Sequence, residues 1–202
     1  MHIAIEGLDG VGKTSTAKKL AELLRFELVE KPLHLVTDEN GDLQNYLAIT
    51  SKINSIDNHA LQAHFYAAGN ILTSMIARQK NIVTDRHLVS NYYNNATVHN
   101  LSMFDELIAE CGCPHFTFVL YANAEIRRQR IIRRNPQDAD IRGKCASNSD
   151  YEKIRQFFER YDMPHKIIDT SSLSLEKVVN IIFRDVQELL HPNSLLSEEG
   201  CI

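Results

Sequence analysis

Eight consecutive residues, Gly7-Leu8-Asp9-Gly10-Val11-Gly12-Lys13-Thr14, constrain this chain more than any other feature, because they match Gly-x-x-x-x-Gly-Lys-Ser/Thr at every specified position. The pattern carries weight only between a strand and a helix, and both are predicted. His2 to Glu6 reads as a short buried strand, and Thr14 to Leu24 repeats apolar residues at Ala17, Leu20, Ala21 and Leu24. Glycines let the backbone curl until successive N–H groups face phosphate oxygens. The helix that follows aims the positive end of its dipole at the same place. Gly7, Asp9, Gly10, Val11, Gly12, Lys13, Thr14 and Ser15 are therefore the candidate ATP-binding residues. Lys13 brings a mobile charge to the β- and γ-phosphates, and the Thr14 hydroxyl is a candidate ligand for Mg²⁺.

The rest of the chain alternates in the same manner. Strands are predicted at Glu27–Glu30, Asn81–Asp85, Phe116–Tyr121 and His165–Asp169. Helices are predicted at Asp57–Arg78, Val89–Asn95, Met103–Glu110, Ala124–Arg134 and Asn148–Tyr161, with a last one from Ser174 to about His191, where Pro192 stops it. In the long helix the expected core face is Leu61, His64/Phe65, Ala68, Leu72, Met75 and Ile76. Leu33 to Ser55 reads as a loop with a short helix near Leu43–Ile49. Strands separated by helices imply parallel pairing and right-handed crossovers. The expected fold is α/β: a three-layer P-loop NTPase domain over residues 1–191, its sheet flanked by helices, with a loose tail over 192–202. A net charge of −4 argues against a nucleic-acid partner. The longest apolar runs fall short of the roughly 18 residues of a membrane span. A strand starting at His2 leaves no room for a signal sequence, and Cys111, Cys113, Cys145 and Cys201 lack metal-site spacing, so a cytoplasmic protein with reduced thiols is expected.

The kind of phosphate chemistry follows from what surrounds the loop. Asp85 ends an apolar strand where open α/β sheets bind ligands, which makes it the second candidate Mg²⁺ residue; an ordinary strand end or helix cap is the plainer reading. Arg86 is placed to hold a second phosphate, or is a surface arginine. No Asn-Lys-x-Asp or Thr-Lys-x-Asp guanine-reading motif occurs, and Arg86 stands where a water-activating acid would be needed. Transfer to a bound acceptor fits better than hydrolysis. Arg127, Arg128, Arg130, Arg133, Arg134, Arg142 and Lys144 outnumber Asp138 and Asp140 in one stretch. Arg130, Arg133 and Arg134 share a helix face, and a mobile lid over about 134–149 would exclude water and neutralise the transferring phosphoryl group. The alternative is a solvated basic face touching RNA.

Together these residues resemble the thymidylate kinase family of P-loop nucleotide kinases, over Ile3 to about Asp185. The resemblance is carried by Glu6 to Thr14 with Asp9 inside the loop, Glu30-Lys31-Pro32, Asp85-Arg86-His87 through Ser90, Pro114 to Arg133 with Glu125, Arg130 and Arg133 in register, and Tyr151 to Phe158. It implies a five-stranded parallel sheet, a homodimer packed through helices, and transfer of the ATP γ-phosphate to a nucleoside monophosphate in nucleotide biosynthesis, first of all dTMP or a related deoxynucleotide. Family members carry a catalytic arginine either in the loop or in the lid. Gly10 holds the loop position here, so the role passes to Arg130, Arg133 and Arg134, beside Lys13, Asp9 and Arg86. On the acceptor side the resemblance implies that Arg86 grips the phosphate, Phe65 stacks on the base and Glu30 and Asp9 lie beside the acceptor.

The family pattern is departed from in four places, three of them in the acceptor pocket. The family's Ala-Asp-Arg reads Ala68-Gly69-Asn70, its Gly-Gly-Thr reads Leu33-His34-Leu35, Val29 precedes Glu30, and Ala-Tyr-Gln reads Tyr93-Asn94-Asn95. Asn70 and Asn95 can each pair with a base edge or serve the core, and Phe65 equally fits a core face. A monophosphate acceptor needs no base, whereas a hydroxyl acceptor on a deoxynucleoside or other small molecule would need Glu30, or else Asp9, to take its proton. A nucleotide-dependent binding module is the remaining alternative.

Overall fold

Apolar side chains on both faces draw β1 (His2–Gly7) into the middle of the molecule, where all its residues are buried. The computed structural model describes residues 1–39, 41–137 and 149–191. After β1 come α1 (Lys13–Leu24), β2 (Glu27–Val29), α2 (His34–Thr37), α3 (Gln44–Ser55), α4 (His59–Ala77), β3 (Ile82–Asp85), α5 (Leu88–Asn95), α6 (Leu101–Cys111), β4 (Phe116–Tyr121), α7 (Ala124–Arg134), α8 (Ser149–Tyr161), β5 (His165–Asp169) and α9 (Leu175–Leu190). The sheet is parallel throughout, in the order β2-β3-β1-β4-β5. On one face Ile3, Ile5, Phe118, Leu120 and Ile168 pack with Leu20 of α1 and Val178, Ile182 and Val186 of α9. On the other, Leu8 and Val119 pack with Leu88, Tyr92, Phe104 and Phe157. This is the three-layer α/β arrangement expected. The lid expected at about 134–149, with Arg142 and Lys144, lies almost wholly outside the described residues, and so does the tail.

Two stretches differ from expectation. The segment before α4 holds a full helix, α3, in place of a short one. Asp38 accepts the backbone N–H groups of Asn45 at 2.8 Å and Tyr46 at 3.1 Å. A carboxylate several residues upstream thus satisfies donors that a local cap would serve. The second difference is the face that α4 turns inward: Ala63, Ala67, Gly69, Asn70, Thr73 and Ser74 are buried, while Leu61, Ile71 and Met75 are exposed. Small residues allow close approach. A methyl group on Gly69 would stand 3.3 Å from Leu33 Cγ and 3.4 Å from Pro32 Cγ, so α4 lies directly on the turn after β2.

The interior near α5 also holds a buried pair of histidines. The His2 and His87 rings meet edge to face at 4.8 Å, and both residues are buried. Burial lowers the His87 pKa from 6.5 to about 4. The folded state therefore keeps this imidazole neutral where the unfolded chain protonates it, and stability falls as pH drops below about 6.5 until it levels off near the folded value. By pH 5 the loss due to His87 should reach about 2 kcal/mol. Urea unfolding of the wild type and His87→Asn at pH 7.5 and 5 checks this, since the variant should lack that share of the pH slope. Equal slopes would refute it.

Candidate active site

Parallel pairing brings the carboxyl ends of three strands to one edge. Ile5 lies opposite Asp85, and Gly7 opposite Leu120, so the loop leaving β1 sits between the ends of β3 and β4. Ligands of open α/β sheets occupy this crevice. Gly10 has φ 85°, and a Cβ there would lie 2.7 Å from the Arg127 carbonyl oxygen. The first turn of α7 is therefore pressed against the loop, which closes on Gly12 (φ 100°) at the head of α1. Lys13 is buried and donates to the Leu8 carbonyl at 2.7 Å, with its ammonium 3.6 Å from Asp9 Oδ1. Burial, assisted by the nearby Arg86 charge, lowers its pKa to about 8 against the pull of Asp9, Asp85 and Glu6.

Thr14 and Asp85 meet as the sequence suggests, with the hydroxyl donating to Asp85 Oδ2 at 2.5 Å. Asp85 Oδ1 is buried and has no hydrogen-bond partner among the described residues. A hydroxyl beside a carboxylate with an unspent oxygen is a hard donor set suited to Mg²⁺. Among the described residues no cluster of three His, Cys, Asp or Glu side chains offers a competing metal site.

Arg86 stands at the far wall of the crevice. Its backbone is left-handed (φ 75°), a conformation a non-glycine residue keeps only when its surroundings hold it there. The holding group is Glu6, at the end of β1. This wholly buried carboxylate accepts the His87 N–H at 2.7 Å, the Ser90 N–H at 3.1 Å and the Ser90 hydroxyl at 2.5 Å. Burial raises its pKa, and these hydrogen bonds oppose the rise. The Arg86 guanidinium donates to Asp9, to Ser90 Oγ at 3.3 Å and to the Tyr93 hydroxyl at 3.1 Å. Glu6 and Tyr93 were not among the residues predicted to act; the signal for Glu6 was a charged residue inside an otherwise apolar strand. Tyr46 and Tyr66 were missed too. The Tyr66 hydroxyl donates to Asn54 at 2.9 Å, tying α4 to α3. Burial and the Tyr66 phenol push Tyr46 up to about 12 against the pull of Arg86, and burial likewise raises the Tyr66 phenol, opposed by its bond to Asn54 and by Arg86.

The remaining predicted residues are only partly brought together. Glu30 is half-buried, 3.8 Å from Lys18 of α1. Phe65 is half-buried and meets the Tyr66 ring edge to face at 5.2 Å. Asn70 and Asn95 are drawn inward instead: Asn91 Nδ2 donates to Asn70 Oδ1 at 3.2 Å, and Asn95 Nδ2 to Asn91 Oδ1 at 2.9 Å. Asn91 thus joins α5 to the small polar face of α4, while the Asn95 bond lies within α5. Arg130 also differs from expectation. It donates to Thr170 Oγ1 at 3.0 Å, to the Thr170 carbonyl at 2.6 Å and to the Val11 carbonyl at 3.4 Å. Bound in this way it braces the loop against the end of β5. Arg133 and Arg134 are exposed at the end of α7, next to the undescribed segment, and Ser15 is exposed on the first turn of α1. Arg127, grouped with the basic lid by sequence, is wholly buried with its guanidinium 5.8 Å from the Tyr151 ring centre.

Comparison with known proteins adds to this geometry. The family model described as thymidylate kinase matches residues 5–182. A thymidylate kinase of Staphylococcus epidermidis is 27% identical over 93% of this chain and 98% of its own length. A probable thymidylate kinase of Metallosphaera sedula is 28% identical over 98% of both. Among solved structures, deoxyadenosine kinase from M. mycoides with bound dCTP superposes with a TM-score of 0.63 at 18% identity, over 93% of this chain and 100% of that one. Its complex with dATP gives the same TM-score and identity. At that identity the likeness is one of fold. Among the described residues no helix is long and apolar enough to cross a membrane.

Proposed function

The chain belongs to the thymidylate kinase family and is a nucleotide phosphotransferase, and from that premise we propose that it moves the γ-phosphate of ATP onto a deoxynucleoside monophosphate, dTMP first among them. The observation that carries the acceptor class is the state of Arg86. Three of its five N–H donors are committed to Asp9, Ser90 and Tyr93. Among the described residues two remain uncommitted, enough for a phosphate group beside the ATP loop. Lys13 and the exposed Arg133 and Arg134 would stabilise charge on the transferring group, while Asp9, between Lys13 and Arg86, would set the spacing of donor and acceptor. Thr14 and Asp85 would hold Mg²⁺, which when bound offsets charge on the β- and γ-phosphates. A phosphate oxygen is already anionic, so no base is required. The outward apolar residues of α4, Leu61, Ile71 and Met75, support a homodimer, and a cytoplasmic location is part of the same reading.

A coupled ADP-release assay with Mg-ATP against deoxynucleoside monophosphates and the parent nucleosides tests this reading. Turnover of monophosphates, highest with dTMP, is expected. Glu30→Gln should change that turnover by less than about tenfold, because Glu30 has no proton to remove. Turnover of nucleosides alone, nearly abolished by Glu30→Gln, would assign a hydroxyl acceptor with Glu30 as its base. No turnover with either class would overturn the reading.

A further inference from the structure

We propose that Tyr93 is a positioning residue for the acceptor grip, its buried phenol fixing the direction in which Arg86 presents its unused N–H donors. The proposal rests on the reading of Arg86 as the acceptor-phosphate residue. The guanidinium sits at the end of a long side chain rooted in a left-handed backbone, and free rotation would scatter its charge. Asp9 holds Nη2, and both partners of Nη1 lie on α5: Ser90 Oγ and Tyr93 Oη. Ser90 is the weaker holder, since its bond from Arg86 is the longer at 3.3 Å. Tyr93, one turn further along α5, bonds at 3.1 Å.

Tyr93 is itself closely packed. It is 3% exposed, and its carbonyl accepts the Lys153 ammonium of α8 at 3.3 Å. Burial raises the phenol's pKa, so the hydroxyl stays neutral at working pH and can accept from Arg86 without pulling its charge away from an incoming phosphate, as another carboxylate would. Asp9 alone offers one anchor. Asp9 and Tyr93 on different nitrogens fix the plane of the guanidinium, and a planar fork grips a phosphate only when that plane is set.

Tyr93→Phe removes the hydroxyl and keeps the ring, so the core should survive. The acceptor KM should rise about tenfold, or about 1.4 kcal/mol in binding, with the ATP KM and the melting temperature nearly unchanged. In an Arg86→Lys background the same change should have almost no further effect on the acceptor KM, because residues that act through each other are not additive. An arm independent of turnover is the rate of Arg86 modification by phenylglyoxal in the ligand-free protein, followed by mass spectrometry, which should rise several-fold in Tyr93→Phe. An unchanged modification rate overturns the proposal whatever the substrate proves to be. So does a fully additive loss in the Arg86→Lys background, or an equal rise in both KM values. A raised modification rate in a protein that phosphorylates no nucleotide would instead uphold the Tyr93–Arg86 contact and overturn the reading of the acceptor.

Discussion

Lys13→Met should lower kcat by about a hundredfold to a thousandfold while the protein stays folded. The ammonium is buried, fixed on the Leu8 carbonyl and set beside Asp9 inside the loop, so it meets developing charge on the phosphoryl group without having to move far. A preorganised donor in a water-poor site is worth that much in a transition state. Methionine keeps most of the buried hydrocarbon and removes a charge that burial already disfavours, as the lowered pKa shows. The fold therefore has little reason to suffer beyond one unmatched carbonyl, about 1 kcal/mol. Steady-state kinetics with a parallel thermal melt decides the matter. A kcat within tenfold of the wild type would mean that Lys13 holds the loop together and does no chemistry.

The second large effect concerns Glu6. Glu6→Ala strips the acceptor from the His87 N–H, the Ser90 N–H and the Ser90 hydroxyl at a site with no access to water. Each stranded buried donor costs about 1–3 kcal/mol, and the hydroxyl can turn to another partner, so a loss of about 3–5 kcal/mol is expected. For a chain of this size that corresponds to a drop in melting temperature of about 10 °C. Glu6→Gln keeps one carbonyl oxygen facing the two backbone donors and should lose less than half as much. Equal losses in the two variants would show that the carboxylate's charge matters rather than its hydrogen bonds. Because the corner held by Glu6 carries Arg86 in its left-handed backbone, Glu6→Ala should also weaken the acceptor grip at temperatures where it remains folded.

Much of this molecule could be read from its residues, for physical reasons that differ from element to element. The loop was legible because phosphate chemistry admits few residue types at fixed spacing, and the strands because their apolar runs are short and bounded. Asp85 and Thr14 come together because β3 ends beside β1, whose loop leads straight into α1. α3 was underestimated because its capping group, Asp38, lies outside the window in which a cap is sought. The inward face of α4 was misread because periodicity locates an apolar stripe and cannot say what it faces. Small residues that permit close packing leave no such stripe, so Asn70 and Asn95 looked available when they were partners of Asn91. Arg130 shared a helix face with Arg133 and Arg134, and only the meeting of Thr170 with Val11 reveals where it goes.

The contact between Gly10 and the Arg127 carbonyl bears on the history of this enzyme. A catalytic arginine in the loop would have to enter at position 10, where the first atom of any side chain meets the peptide of α7. That substitution would be lost unless the start of α7 had already shifted, and such a shift would bring no advantage while position 10 remained glycine. Two changes, each harmful or useless alone, separate the two forms of the site. A lineage that begins with glycine here should keep it, since a side chain at position 10 and the shift of α7 would have to arrive together.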